Sequence, residues 1–156
     1  MEGKTVAESW TVMSQIMTPL DVNNIGNVHG GVIMKLVDTA AGIAAIRHSR
    51  SIAITASIDQ LDFLRPVNIG ELVTLRASVN MVGNTSMEVG VRVEAEGPVS
   101  GEIRHVASAY LTFVALDEQR RPKTVPPLIA ASNVEKRRER EARARKEIRL
   151  REKSGA

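Results

Sequence analysis

Asp38 is the residue of this chain whose type and setting could do chemistry. It sits in "HGGVIMKLVDTAAGIAAIRH", residues 29 to 48, among Leu36, Val37, Ala40, Ala41, Ile43, Ala44 and Ala45. An ionised carboxylate is costly to bury among such neighbours unless it is hydrogen-bonded or its pKa rises. Two placements answer that cost. Asp38 lies on the one wet edge of the helix with Lys35, its i−3 neighbour, or it lines a cleft as a partly desolvated general base or nucleophile.

Gly30 and Gly31 open the same helix, where amide groups lack partners and the macrodipole is positive. Glycine is a poor helix former. Turn geometry at the helix entry accounts for it. So does a site in which the missing Cβ lets a carbonyl oxygen approach the Gly31 amide, as in an oxyanion hole. Gly31 and Asp38 are seven residues apart, roughly 10 Å along a helix, too far for one helix to serve both ends of a reacting carbonyl. Two antiparallel helices bring Gly31 of one subunit to Asp38 of the other. If Gly31 has this role, the chain is expected to form a dimer with shared sites.

The elements that must position these groups are legible around them. "TPLDVNNIGN" (18 to 27) is a structured loop before the helix, which runs from about Gly31 to Arg47. Residues 7 to 17 alternate loosely and suit a first strand. Four further strands are expected over 51–64, 71–82, 85–95 and 102–116. In the third of these, Met87, Val89, Val91 and Val93 alternate with Glu88, Gly90, Arg92 and Glu94, a period of two with one wet face. The prolines of "RRPKTVPPLIA" end the folded body. A helix apolar around its whole circumference has to be wrapped, and one antiparallel sheet curling around it does so. The fold class is therefore α+β, a long central helix wrapped by a curved antiparallel β-sheet.

Length and composition bound the rest. The 156 residues suit one domain, residues 1–133, with an appendage, residues 134–156. Aromatic residues are only 3% of the chain, so the core is built from Val, Ile, Leu, Met and Ala. Cysteine is absent, which excludes disulfides and thiolate chemistry. "MEGKTVAESW" holds no signal-like apolar core, and no run reaches the length of a membrane span. A cytoplasmic protein with no membrane partner is expected.

Residues 134 to 153 hold ten Lys/Arg and five Glu, whereas residues 1 to 133 hold eleven Lys/Arg and thirteen Asp/Glu. The body is thus slightly acidic, and nucleic-acid binding by it has no electrostatic support. The tail lacks an apolar stripe. Pairs Glu139–Arg143, Glu141–Arg145 and Glu147–Arg151 would support a solvated helix. A frayed helix or disordered segment is expected, with contact to an anionic partner as the alternative.

"DVNNIGNVHGGVIMKLVDTAAGIAAIRH", "ASIDQLDFLRPVNIGE", "VGNTSMEVGVRVEAE" and "HVASAYLTFVALDEQRRPKTVPPL" resemble the hotdog-fold acyl-CoA thioesterases. The similarity is to the single-hotdog bacterial acyl-CoA hydrolases and to each half of the cytosolic acyl-CoA hydrolases of animals. It covers residues 8 to about 129 and leaves the charged tail unexplained. The resemblance implies hydrolysis of fatty acyl-CoA to free acid and CoA, in a homodimer with shared sites assembled as a trimer of dimers. It assigns catalysis to Asp38 and to a loop Asn of the other subunit, Asn23 by the Asp-x-Asn-x-x-Gly pattern, with Asn24 as alternative. Asp38 would act as general base or attack directly to give an anhydride, and the Gly31 amide would hold the thioester oxygen.

No added cofactor is expected, CoA being part of the substrate. His29, His48 and His105 have no ligand-like spacing, so no metal site is expected. His29, beside the helix start, is assigned a local structural role. A hotdog hydratase or dehydratase using His29, and a non-catalytic acyl-CoA-binding module, are the alternative functions. Groups suited to cofactor phosphates are Asn84, Thr85 and Ser86 of one turn, with Arg104, Arg120, Arg121 and Lys123.

Overall fold

Val73, Leu75, Ala77 and Val79 are buried, while Thr74 and Arg76 between them reach the opposite face. This alternation, repeated at Met87, Val89, Val91, Val93 and Ala95, gives the sheet an inner face that a helix can fill. The structure is a computed structural model and describes residues 1–155. Its elements are β1 (Lys4–Thr5), β2 (Thr11–Ile16), α1 (Gly30–Ser49), β3 (Ile52–Phe63), β4 (Leu72–Val82), β5 (Ser86–Glu96), β6 (Ile103–Leu116), β7 (Leu128–Ile129) and α2 (Asn133–Ser154). Short 3-10 turns cover Val6–Glu8 and Pro19–Asp21.

Five strands form one antiparallel sheet in the order β2-β4-β5-β6-β3, and α1 touches every one of them. Ala40, Ala41, Ala44 and Ala45 of α1 have no exposed surface, so small side chains set the close approach of helix to sheet. The helix ends at Arg50, whose left-handed backbone (φ 51°) lets its amide return to the Ile46 carbonyl. This is the expected wrapped helix of the hotdog fold. The first expected strand begins later than the loose alternation suggested, because Val6–Glu8 forms a 3-10 turn. Leu128 and Ile129, beyond the prolines, still pair as a short parallel strand with Lys4 and Thr5.

The expected wet face of β5 is not uniformly wet. Glu88 is 2% exposed because α2 lies over it. Arg145 of α2 donates to both Glu88 oxygens at 2.8 and 2.9 Å, and its guanidinium stacks 3.7 Å from the centroid of the Tyr110 ring. One turn later, Arg149 pairs with Asp59 of β3 at 3.1 Å. The expected frayed or disordered tail is therefore a docked helix, started by a Ser132–Glu135 capping box. Two of the three expected intrahelical pairs are present, Glu139–Arg143 and Glu147–Arg151. The third is not, because Arg145 turns to Glu88 and Glu141 pairs with Arg137.

Candidate active site

Asp38 lies half-buried on α1, and its partner is neither solvent alone nor Lys35. Thr55 Oγ1 of β3 donates to Asp38 Oδ1 at 2.6 Å. Hydrogen bonds to a charged acceptor are the short, strong ones. The carboxylate keeps Oδ2 for another proton. Sequence reasoning missed Thr55, since a threonine in a strand is ordinary; the register Thr55↔Phe113, with the Phe113 side chain buried in the core, turns it toward the helix.

The start of α1 is built by the loop before it. Asn23 Oδ1 accepts from the Ile25 and Asn27 amides at 3.0 and 3.1 Å. Gly26, at φ +92°, permits the return of the chain. Because Oδ1 is engaged by two donors, the Asn23 amide group is left to donate outward. Asn24, the alternative, is exposed. His29 caps the helix through its backbone, with its amide on the Asp21 carbonyl at 2.7 Å and no side-chain cap bond. The Gly30 and Gly31 amides meet no acceptor among the described residues. Gly31 is exposed, and a Cβ there would meet nothing within 4 Å.

Asn23, Gly30, Ile33, Phe63, Pro66 and Val67 line a cavity of about 340 Å³. Asp38 and Thr55 are not in its wall. Within one chain, then, the donor groups and the carboxylate are separate. A cleft of about 370 Å³ lies elsewhere, between α2 and the outer sheet face, with Tyr110, Arg138 and Arg145 in its lining.

The phosphate-binding candidates divide into two groups. The Val125 amide bonds the Asn84 carbonyl, and the Ala115 amide bonds the Thr85 carbonyl, both at 2.9 Å. The turn Asn84, Thr85, Ser86 thereby meets the segment of Lys123 at the end of β6, with Arg120 and Arg121 on the turn just before it. Arg104 stands near the other end of β6, twelve residues from Leu116, roughly 40 Å along the strand. Its guanidinium donates to both Glu71 oxygens at 2.6 and 2.9 Å and to the Pro66 carbonyl. Arg104, one of the expected cofactor ligands, clamps the loop that seats Val28 through the Val67 carbonyl. It holds the Glu71 carboxyl below the usual carboxylate range.

His48 is buried, donates through Nε2 to the Pro126 carbonyl at 2.8 Å, and leaves Nδ1 without a partner. Burial pushes its pKa down. His105 Nε2 lies 2.6 Å from Ser108 Oγ. Among the described residues no group of three or more His, Asp or Glu side chains is placed to hold a metal. No described helix is long and apolar enough to cross a membrane.

Known proteins resemble the chain in both sequence and shape. The thioesterase superfamily profile matches residues 25–102. The uncharacterized acyl-CoA thioester hydrolase YkhA of Bacillus subtilis is 40% identical over 134 residues, 86% of this chain and 78% of that protein. The cytosolic acyl coenzyme A thioester hydrolase of Mus musculus is 36% identical over 92% of this chain, which spans only 38% of the mouse protein. A hexameric acyl-CoA thioesterase solved without ligand superposes with TM-score 0.94 at 36% identity, over 97% of each chain. The acyl-CoA hydrolase of Staphylococcus aureus, in complex with butyryl coenzyme A and coenzyme A, superposes with TM-score 0.90 at 34% identity, over 97% of this chain and 93% of that one. Alanine variants of that hydrolase at an Asp, an Asn and a Thr share the shape.

Proposed function

Because the chain belongs to the thioesterase superfamily and matches its acyl-CoA thioester hydrolases, we propose that it cleaves acyl-CoA to a free carboxylic acid and CoA, with Asp38 as general base. The observation that carries the assignment is the Asp38–Thr55 bond, which orients a half-buried carboxylate and leaves one oxygen free. The Asn, Asp and Thr replaced in the Staphylococcus aureus variants follow one another at the same intervals as Asn23, Asp38 and Thr55.

Asp38 Oδ2 takes a proton from water as the water oxygen bonds to the thioester carbon. The partner subunit's Gly31 amide, at a positive helix end, receives the developing oxyanion. Collapse of the tetrahedral intermediate breaks the C–S bond, and the leaving thiolate regains the proton from Asp38. The partner subunit's Asn23 donates its amide to the water or the carbonyl. The reaction so drawn uses no cofactor beyond the CoA of the substrate. Direct attack by Asp38 is separated from this by single turnover in heavy-oxygen water, since only an anhydride would leave the label on the enzyme.

The division between subunits follows from the surface. β3 is an edge of the sheet, and Ile58 and Phe63 on its helix-facing side are 39 and 51% exposed. Ile43 and Ile46 of α1 add to this apolar face. Pairing of two such edges buries it and sets the two helices antiparallel. The donors of one subunit then meet the Asp38 of its partner. Three dimers would make the hexamer, as for the hexameric relatives, and the Asn84–Ser86 turn with Lys123 would receive the CoA phosphates. A cytoplasmic location fits the absence of cysteine from the chain.

Release of free thiol from acyl-CoA tests the assignment. Asp38→Ala is expected to lower kcat by about 100-fold or more while the protein stays folded. Near-parental turnover in that variant would overturn it.

A further inference from the structure

Two irregularities flank the middle of β3, the strand that carries Thr55. The ladder to β6 runs Thr55↔Phe113, Ser57↔Thr112, Ile58↔Leu111 and Gln60↔Tyr110. Ala56 and Asp59 are the extra residues, so six steps of β3 from Thr55 to Leu61 face only four of β6. Each bulge breaks the period of two, and loss or movement of one shifts its neighbours by a register position and turns their side chains to the other face. Thr55, next to the first bulge, faces Asp38 only in the register observed. β3 is an edge strand, so within the chain no second strand constrains it.

The second bulge is held by side chains. Asp59 accepts from Thr112 Oγ1 of β6 at 2.7 Å, from Ser57 Oγ of its own strand at 2.7 Å, and from Arg149 of α2 at 3.1 Å. Both ionic partners are largely shielded, with side chains 12 and 19% exposed. Arg149 is placed by Arg145, one turn earlier, whose pairing with Glu88 seats α2 on the sheet.

We propose that α2 is a positioning element of the reaction: Arg149, by holding Asp59, pins the bulged register of β3 that keeps Thr55 on Asp38. The proposal rests on Asp38 as the general base. Arg149 touches neither substrate nor carboxylate. It acts through the strand, and displacement of a catalytic group by one strand position exceeds what turnover tolerates.

Steady-state thiol release is measured for the full-length chain and for Arg149→Ala, Arg149→Lys, Thr55→Ala and the double variant Thr55→Ala/Arg149→Ala, with Asp38→Ala beside them. Arg149→Ala is expected to lower kcat about ten-fold with KM little changed, and Arg149→Lys to restore most of it. The double variant should turn over no more slowly than Thr55→Ala, since Arg149 has nothing left to position. If Arg149→Ala does not fold, Asp59→Asn, which keeps an acceptor for Thr112, should show the same loss in kcat. Parental kcat in Arg149→Ala, a loss confined to KM, or losses that multiply in the double variant would overturn the proposal. So would failure of both single variants to fold, which makes the pair a stability contact. An active Asp38→Ala enzyme would instead remove the base assignment on which the proposal stands.

Discussion

Thr55 reaches across from the edge strand to place its hydroxyl 2.6 Å from Asp38, seventeen residues earlier in the chain. The bond explains how an aspartate is tolerated in a helix otherwise given over to packing. A single donor holds one oxygen, and partial exposure leaves the other usable.

Removing that donor should be felt in turnover. A hydrogen bond to a charged group contributes about 1.5–3 kcal/mol, so Thr55→Ala is expected to lower kcat by about ten-fold or more. Thr55→Ser keeps the hydroxyl and should recover most of the loss. Equal rates for the two variants in a thiol-release assay would argue against the bond's having a role in turnover.

Sites shared between subunits can be rebuilt from damaged halves. Asn23→Ala and Asp38→Ala chains, each inactive alone, are expected to regain activity when mixed under conditions that exchange subunits. A heterodimer then holds one site with both groups intact. No recovery after exchange has been shown by mass would mean that each chain carries its own complete site.

The docked tail changes what truncation should do. Solvation alone would let residues 134–156 be deleted without effect, yet Glu88 has its guanidinium partner on α2. Arg145→Ala leaves a buried carboxylate with only Asn80 as donor, at 3.1 Å, and is expected to cost about 3 kcal/mol or more. Chemical denaturation of the two forms measures it. A difference below about 1 kcal/mol would place the pair with weak surface ion pairs.

His48 should make stability fall on mild acidification. Its pKa is depressed below 6.5 by burial, with the Pro126 carbonyl opposing. The unfolded chain therefore binds a proton that the folded ring resists. The contribution of neutral His48 is complete above about pH 6.5 and is lost as pH falls through the lower folded value. Thermal melts across this window should show a declining Tm, and His48→Gln should flatten the slope. An unchanged slope would assign the decline to other groups.

The loop that seats the helix start has its own acid limit. Arg104 depresses the Glu71 pKa below its ordinary 4.5, so the stabilisation is full above that pH and disappears as pH falls through the folded value. Arg104→Ala should lower Tm at neutral pH and lose less on acidification below about pH 4.5. KM for acyl-CoA would also respond to direct phosphate contact, and a large rise in KM with unchanged Tm would assign Arg104 to the cofactor site.

Local pattern alone determined the long helix, the four strands after it and the wrapped arrangement, because apolar periodicity and turn residues act over a few positions. Asp38 and Gly31 stood out for the same reason: each is a poor fit to its immediate neighbours. Asn23 was legible through the loop motif and the resemblance. Thr55, Arg104 and α2 were not. Thr55 suits any strand, and only its register against Phe113 turns it to the helix. Arg104 looked like a free surface cation until folding brought Glu71, thirty-three residues away, to both of its donors. Arg145 and Arg149 find their carboxylates fifty-seven and ninety residues distant. An ion pair carries no period and no composition of its own, so its partner is set by the path of the chain through space, and that path decided which charges reach solvent and which hold the site.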